Sequence, residues 1–165
     1  MNKDRTEDFL IIIENNKGII YKIANLYCKN IDDRKDLIQE IVIQLWKAFE
    51  NYDDKFKYST WIYRIALNVS ISFYRKENSR KRISNSLDNE ILIFQEETNF
   101  IYSDVQLNAL YQMINELKDL DKALMLLYLE EKSYREISQI IGVSETNIST
   151  KINRIKNILK QKLTK

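Results

Sequence analysis

Histidine and proline are both absent from this 165-residue chain, and glycine occurs only twice, at Gly18 and Gly142. Without histidine the chain lacks the commonest general base near neutral pH and the commonest metal ligand. Two isolated glycines cannot form a glycine-rich phosphate loop. A carboxylate-only site stays open in principle, but nothing marks one, so neither catalysis nor a metal or cofactor site is expected. A proline-free, glycine-poor chain cannot easily make the turn-dense connections of a sandwich or barrel, which predicts an all-α fold. The single cysteine, Cys28, excludes an internal disulfide framework and suits a reducing compartment. The longest apolar runs, Phe9–Ile13 and Ala123–Leu129, are far too short to span a bilayer. No basic segment and cleavage site precede the first of them. The expectation is a cytoplasmic protein with no membrane insertion.

The formal net charge is only +2, but its distribution is uneven. "YRKENSRKR" (74–82) holds five bases and one acid, and 147–165 holds six bases and no acid. Between them, residues 83–117 carry six acids and no base. Clustered bases of this kind are the footprint of nucleic-acid contact, which the average conceals.

Helical periodicity organises most of the chain. Residues 6–29 read as a first helix, with Gly18 as a weak point. "NIDDR" supplies N-cap candidates for a second helix near 33–50, cored by Leu37, Ile41, Leu45 and Ala48. After the polar loop "NYDDKFKY", Ser59 and Thr60 can cap a third helix from about 60 to 77. The stretch 83–103 has no sustained period beyond a turn near Ile91–Phe94 and reads as an acidic linker, which argues for two domains. Helical rhythm resumes over 104–117, 119–130, 133–141 and 144–163. The fold expected is therefore all-α, with an N-terminal helical bundle (1–82), the linker (83–103) and a C-terminal helical domain (104–165).

The C-terminal unit has the clearest geometry. "SYRE" (133–136) is a capping-box pattern, Gly142 ends one helix and Ser144 can start the next. In that last helix Ile148, Ile152, Ile155 and Leu159 form one apolar stripe. At about 100° per residue, Asn147, Thr150, Asn153, Arg154 and Asn157 fall opposite, flanked by Lys151 and Lys156. These side chains can bond base edges and phosphates, so the unit reads as a helix-turn-helix that enters the major groove. An amphipathic hairpin in a bundle is the plainer alternative.

"KYSTWIYRIALNVSISFYRK" (57–76) contains five aromatics, four bases and no acid. On a helical wheel Ile62, Ile65, Ala66, Val69 and Phe73 form the expected core face, with Phe73 as a core residue. Tyr63, Leu67, Ile71 and Tyr74 make an amphipathic flank. Arg64, Asn68 and Arg75 line up as a polar stripe with Trp61 at its edge. Such a stripe suits single-stranded nucleic acid, where aromatics stack bases and cations follow phosphates. A buried helix with snorkelling arginines explains it equally at this point.

Three segments in one order then carry a resemblance. "DRKDLIQEIVIQLWKAFENYD" (33–53), "YSTWIYRIALNVSISFYRK" (58–76) and the helix-turn-helix at 133–160 resemble the bacterial sigma-70 family, specifically its extracytoplasmic-function group. The resemblance implies a sigma factor: a promoter-specificity subunit that binds core RNA polymerase, recognises promoter DNA and supports its melting. Asp33, Asp36, Gln39 and Glu40 would dock on the clamp helices of the β′ subunit. The loop from Tyr52 through Tyr58 to Thr60 corresponds to the pocket for a flipped non-template base. Trp61, Arg64, Asn68 and Arg75 lie on the helix that reads and melts the minus-ten element.

Asn147, Thr150, Lys151, Asn153 and Arg154 would read the minus-thirty-five element. Leu124, Leu127 and Tyr128 precede them, in helices that in the family contact the β flap but which read equally as core. An anti-sigma factor is a further implied partner. Departures occur at Tyr58, where Phe is usual, at Asn147, where Thr is common, and at Ser149, where Lys or Arg is usual. The alternative from another class is a polymerase-independent helix-turn-helix regulator acting as a dimer on palindromic duplex. A helical protein-binding adaptor is a third, weaker reading.

Overall fold

The computed structural model describes residues 3–85 and 105–164. Among these, seven α-helices and one 3-10 turn occur and no strand. They are α1 (Lys3–Tyr27), α2 (Ile31–Ala48), the 3-10 turn Phe49–Asn51, α3 (Tyr58–Asn85), α4 (Val105–Asn115), α5 (Asp119–Leu129), α6 (Tyr134–Ile141) and α7 (Glu145–Leu163). The chain divides into two compact units, Met1–Thr98 and Asn99–Lys165. From residue 86 onward the acidic linker, including the turn expected near Ile91–Phe94, lies outside the described residues.

In the first unit α1, α2 and α3 pack mutually. Phe9, Ile20, Ile23, Ala24 and Tyr27 from α1 meet Leu37, Ile41 and Leu45 from α2 around α3. The junction between α1 and α2 is closed from both sides. The Asn30 side chain accepts the amides of Asp32 and Asp33 at 2.8 and 3.2 Å, satisfying donors at the start of α2. The Arg34 guanidinium donates to the carbonyl of Cys28 at 3.1 and 3.0 Å, and to that of Lys29 at 3.2 Å, satisfying acceptors at the end of α1. Cys28 is buried, and desolvation pushes its thiol up to about 11, so it stays a protonated packing residue at neutral pH. Gly18 sits in open surroundings within α1, which runs through it unbroken.

Two expectations for α3 are corrected. Ser59 and Thr60 do not precede the helix but lie in its first turn, because α3 begins at Tyr58, and it continues to Asn85 rather than ending near 77. The buried face is also turned by about a quarter of a revolution from the one expected. It comprises Thr60, Ile62, Tyr63, Ala66, Leu67 and Ser70, whereas Ile65, Val69 and Phe73 are half-buried. Tyr63 and Leu67, assigned to the flank by the wheel, are core residues, and Phe73, assigned to the core, is not. Apolar residues occupy so much of the circumference of α3 that periodicity cannot choose among them. The stripe that faces α1 and α2 is set by those neighbours.

In the second unit α5, α6 and α7 pack together, with α4 against α5. Ala123, Leu124, Met125 and Leu127 of α5 join Ile137 and Ile140 of α6 and Ile148, Ile152, Ile155 and Leu159 of α7 in the core. Leu124 and Leu127 are fully buried, so of their two readings the core one holds. α5 ends in a left-handed residue, Glu131 (φ 58°), with its amide bonded to the Tyr128 carbonyl and that of Lys132 to the Leu127 carbonyl. This pair of bonds is a Schellman motif, built on glutamate where glycine would carry no steric penalty.

Candidate nucleic-acid interface

The start of α3 is surrounded by aromatic rings. Tyr52 stacks on Tyr58 with ring centroids 4.5 Å apart and planes 22° apart, and meets Trp61 edge-on at 5.2 Å. Trp61 in turn lies 6.2 Å from Phe49, itself 5.4 Å from the buried Phe9. The Tyr52 hydroxyl donates to the Phe56 carbonyl at 2.6 Å, which draws the 52–58 loop closed over one ring. Burial raises the Tyr52 pKa, assisted by Tyr58, Asp54 and Asp53, which favours that donor role. Trp61 is thus half-buried in a packed cluster, while Tyr58 is the more open ring at 38% exposure. Thr60, in the first turn of α3, is buried.

On α3, Arg64, Asn68 and Arg75 are all exposed and share one face. The Arg64 guanidinium lies 5.7 Å from the Phe56 ring centroid, so the loop also orients the first cation of the stripe. Because α3 continues past 77, exposed Arg82, seven residues after Arg75, extends the same face. Sequence reasoning missed Arg82 by ending the helix early, and the seven-residue spacing was the available signal. It also missed Phe56, for which no periodic signal exists in a loop.

A groove of about 720 Å³ runs between α2 and α3. Asp36, Glu40 and Gln44 line one wall and Ile65, Asn68, Val69 and Phe73 the other, with Lys76, Glu77 and Arg80 further along α3. Gln44 donates to Glu40 at 2.7 Å. Two of the acids expected to meet polymerase therefore share a groove with Asn68, expected to meet DNA. Gln39 is exposed but is not part of that groove, and half-buried Asp33 sits at the Asn30 cap.

The helix-turn-helix has the geometry its sequence predicts. Ser133 and Glu136 form the reciprocal capping box at 2.8 and 3.2 Å, Gly142 takes the left-handed conformation (φ 81°), and Ser144 accepts the Asn147 amide at 3.3 Å. Ile148, Ile152, Ile155 and Leu159 are buried, while Asn147, Thr150, Asn153, Arg154 and Asn157 are exposed. Lys151 is half-buried at the edge of this face. The Thr150 hydroxyl donates back to the Thr146 carbonyl at 3.0 Å, leaving its oxygen able to accept. Lys156, which flanks the outer face on the wheel, instead bonds the Tyr128 hydroxyl at 3.2 Å and lies over its ring at 5.1 Å.

One unit thus bears an aromatic loop at the start of a basic helix, and the other bears a helix-turn-helix. Comparison with known proteins makes this specific. Residues 12–80 match the family model of Sigma-70 region 2, and residues 107–159 that of Sigma-70, region 4. The chain is 27% identical to the RNA polymerase sigma factor SigV of Bacillus subtilis, covering 100% of this chain and 98% of the relative. It is 28% identical to the ECF RNA polymerase sigma factor SigW of the same organism, covering 99% and 92%. The same fold occurs in the sigma factor RpoE from Bartonella quintana, solved in complex with the anti-sigma factor NepR. The TM-score is 0.68 at 19% identity, over 99% of this chain and 98% of that one. The chain belongs to the sigma-70 family, in its extracytoplasmic-function group. It is a sigma factor, the subunit with which RNA polymerase recognises promoters. Among the described residues no helix is long and apolar enough to cross a membrane.

Proposed function

We propose that this sigma factor divides promoter recognition between its two units and opens DNA with the first. The observation that carries the reading is that Arg64, Asn68, Arg75 and Arg82 share one exposed face of α3, leading from the aromatic loop at its N-terminus. A base extruded from the non-template strand costs a few kcal/mol to unstack. Stacking on an aromatic ring returns about 1–3 kcal/mol per base, and cations along the helix follow the freed backbone. Tyr58 and Trp61 offer the rings, Tyr52 holds them in place, and Thr60 is buried in the first turn of the same helix. Asn68 can bond a base edge, while Arg64, Arg75 and Arg82 follow phosphates.

In this reading Asp36 and Glu40, with Asp33 and Gln39 alongside, engage the β′ clamp helices of core polymerase. Docking at a groove that Asn68 also lines would place polymerase binding and strand reading side by side. Asn147, Thr150, Lys151, Asn153 and Arg154 read the minus-thirty-five duplex, and the second unit also meets the β flap. The protein makes no covalent change to its partners and works in the cytoplasm, where an anti-sigma factor holds it until needed. RpoE of Bartonella quintana is solved in complex with such a factor.

Run-off transcription with purified core polymerase tests the reading. Promoter-dependent product should appear only when this chain is added. Asn68→Ala and Trp61→Ala should each abolish strand opening, read by permanganate footprinting, while core binding persists. Opening that survives both changes would refute the role given to α3. Tight operator binding by the free chain with no effect on core polymerase would favour a polymerase-independent regulator instead.

A further inference from the structure

The side chains that tie α5 to α7 bear on how the second unit holds DNA. Arg154 and Lys156 are two residues apart and so point about 160° apart around the helix. α5 nevertheless reaches both: Asp121 lies 3.7 Å from the Arg154 guanidinium and Tyr128 bonds Lys156 at 3.2 Å. Asp121 and Tyr128 are separated by two turns, about 10 Å along α5. α5 therefore passes across α7 and touches it on either flank of the outer face. The two contacts differ in kind. Lys156 is partly buried against a ring, whereas the Arg154 side chain is 61% exposed on the face that carries Asn147, Thr150 and Asn153. Its partner is only 14% exposed and sits in the first turn of α5, where the helix dipole favours a negative charge.

We infer that Asp121 is a positioning residue that sets the sequence-independent affinity of the duplex-reading helix: its carboxylate withholds the Arg154 guanidinium from phosphates, so that duplex is held firmly only where base edges add to the contact. The inference rests on the assignment of α7 as the duplex-reading helix. Phosphate contacts carry no sequence information and dominate non-specific affinity. A carboxylate beside a cation on the reading face lowers the affinity for every sequence alike; Arg154 and Lys151 then serve as the phosphate contacts of that face, and base-edge discrimination is left to Asn147, Thr150 and Asn153. The pair is loose enough to be displaced, since partly exposed ion pairs of this length contribute little. With a net charge of only +2, the chain as a whole has little excess positive charge to compensate. Weak binding by the free chain then follows, and duplex is engaged mainly once polymerase is present.

The test uses the full chain and a short labelled duplex of arbitrary sequence, titrated by fluorescence anisotropy over a range of salt. Asp121→Asn should bind about two- to fivefold tighter at low salt. Its log–log salt slope should steepen by about 0.9, as one further phosphate is neutralised. The same change in an Arg154→Ala background should alter neither quantity. Asp121→Ser repeats the measurement with a second side chain compatible with a helix first turn, and circular dichroism checks that helicity is kept. Unchanged or weaker binding by both Asp121 variants would overturn the inference, as would an equal gain without Arg154. Those results leave the reading of α7 standing. Absence of any duplex binding by the wild-type chain and both variants would overturn the inference as well; α7 as a duplex-reading helix would fall only if Asn153→Ala and Arg154→Ala left promoter-dependent run-off by the holoenzyme unchanged.

Discussion

The two units stabilise their helices by different means. In the first, helices of 25, 18 and 28 residues bury long apolar faces against one another. In the second, helices of 11, 11, 8 and 19 residues are joined by tight, specifically bonded corners. Isolated helices of eight or eleven residues are marginal in water, because nucleation is unfavourable and the ends leave backbone groups unbonded. The second unit answers with the capping box at Ser133, left-handed residues at Glu131 and Gly142, and the Ser144 cap. Long helices dilute the cost of their ends over many turns and can rely chiefly on burial, with bonded ends at the α1–α2 junction through Asn30 and Arg34. On the proposed reading of α7, a helix that presents five contact residues at fixed angles needs its start defined to within a residue, which caps achieve and burial alone does not.

The largest effect we expect is common to both units. Ile41→Ala in the first and Ile152→Ala in the second each empty a fully buried site, and each should cost about 2–5 kcal/mol. Hydrogen exchange read by mass spectrometry should confine each loss to its own unit. Spreading of either loss to both units would show that they fold as one. The next effect should separate the units. Ser133→Ala removes a reciprocal cap and should cost about 1 kcal/mol. Ser59→Ala, in the first turn of α3 rather than at its cap, should stay within about 0.5 kcal/mol. Equal losses from the two, in denaturant titrations, would break the contrast. The smallest effect has the opposite sign. Glu131→Gly relieves a left-handed glutamate and should stabilise the second unit by about 0.5 kcal/mol, seen as slower exchange in α5 and α6.

Much of the second unit was legible because its signals are local. A serine three residues before a glutamate, a glycine at a helix end and an apolar stripe at spacings of four, three and four each act within one or two turns. Their outcome does not depend on distant partners. α3 shows the opposite case. Its polar stripe of Arg64, Asn68 and Arg75 was readable, since charged side chains stay in water wherever the helix docks. Its core face was not, because Ile65, Val69 and Phe73 are as apolar as Ile62, Ala66 and Leu67. The groove shared by Asp36, Glu40 and Asn68, and the Phe56 ring under Arg64, depend on segments that meet only after folding.

By itself, the sequence determined the helical class, the capped corners of the helix-turn-helix and the outward faces of α3 and α7, through absences of residue types, local bonding and charge. Tertiary structure alone decided which side of α3 is buried, that Leu124 and Leu127 serve the core, and that Asp121 meets Arg154. Each of those is a choice among chemically equivalent options, settled by the shape and charge of a neighbouring helix.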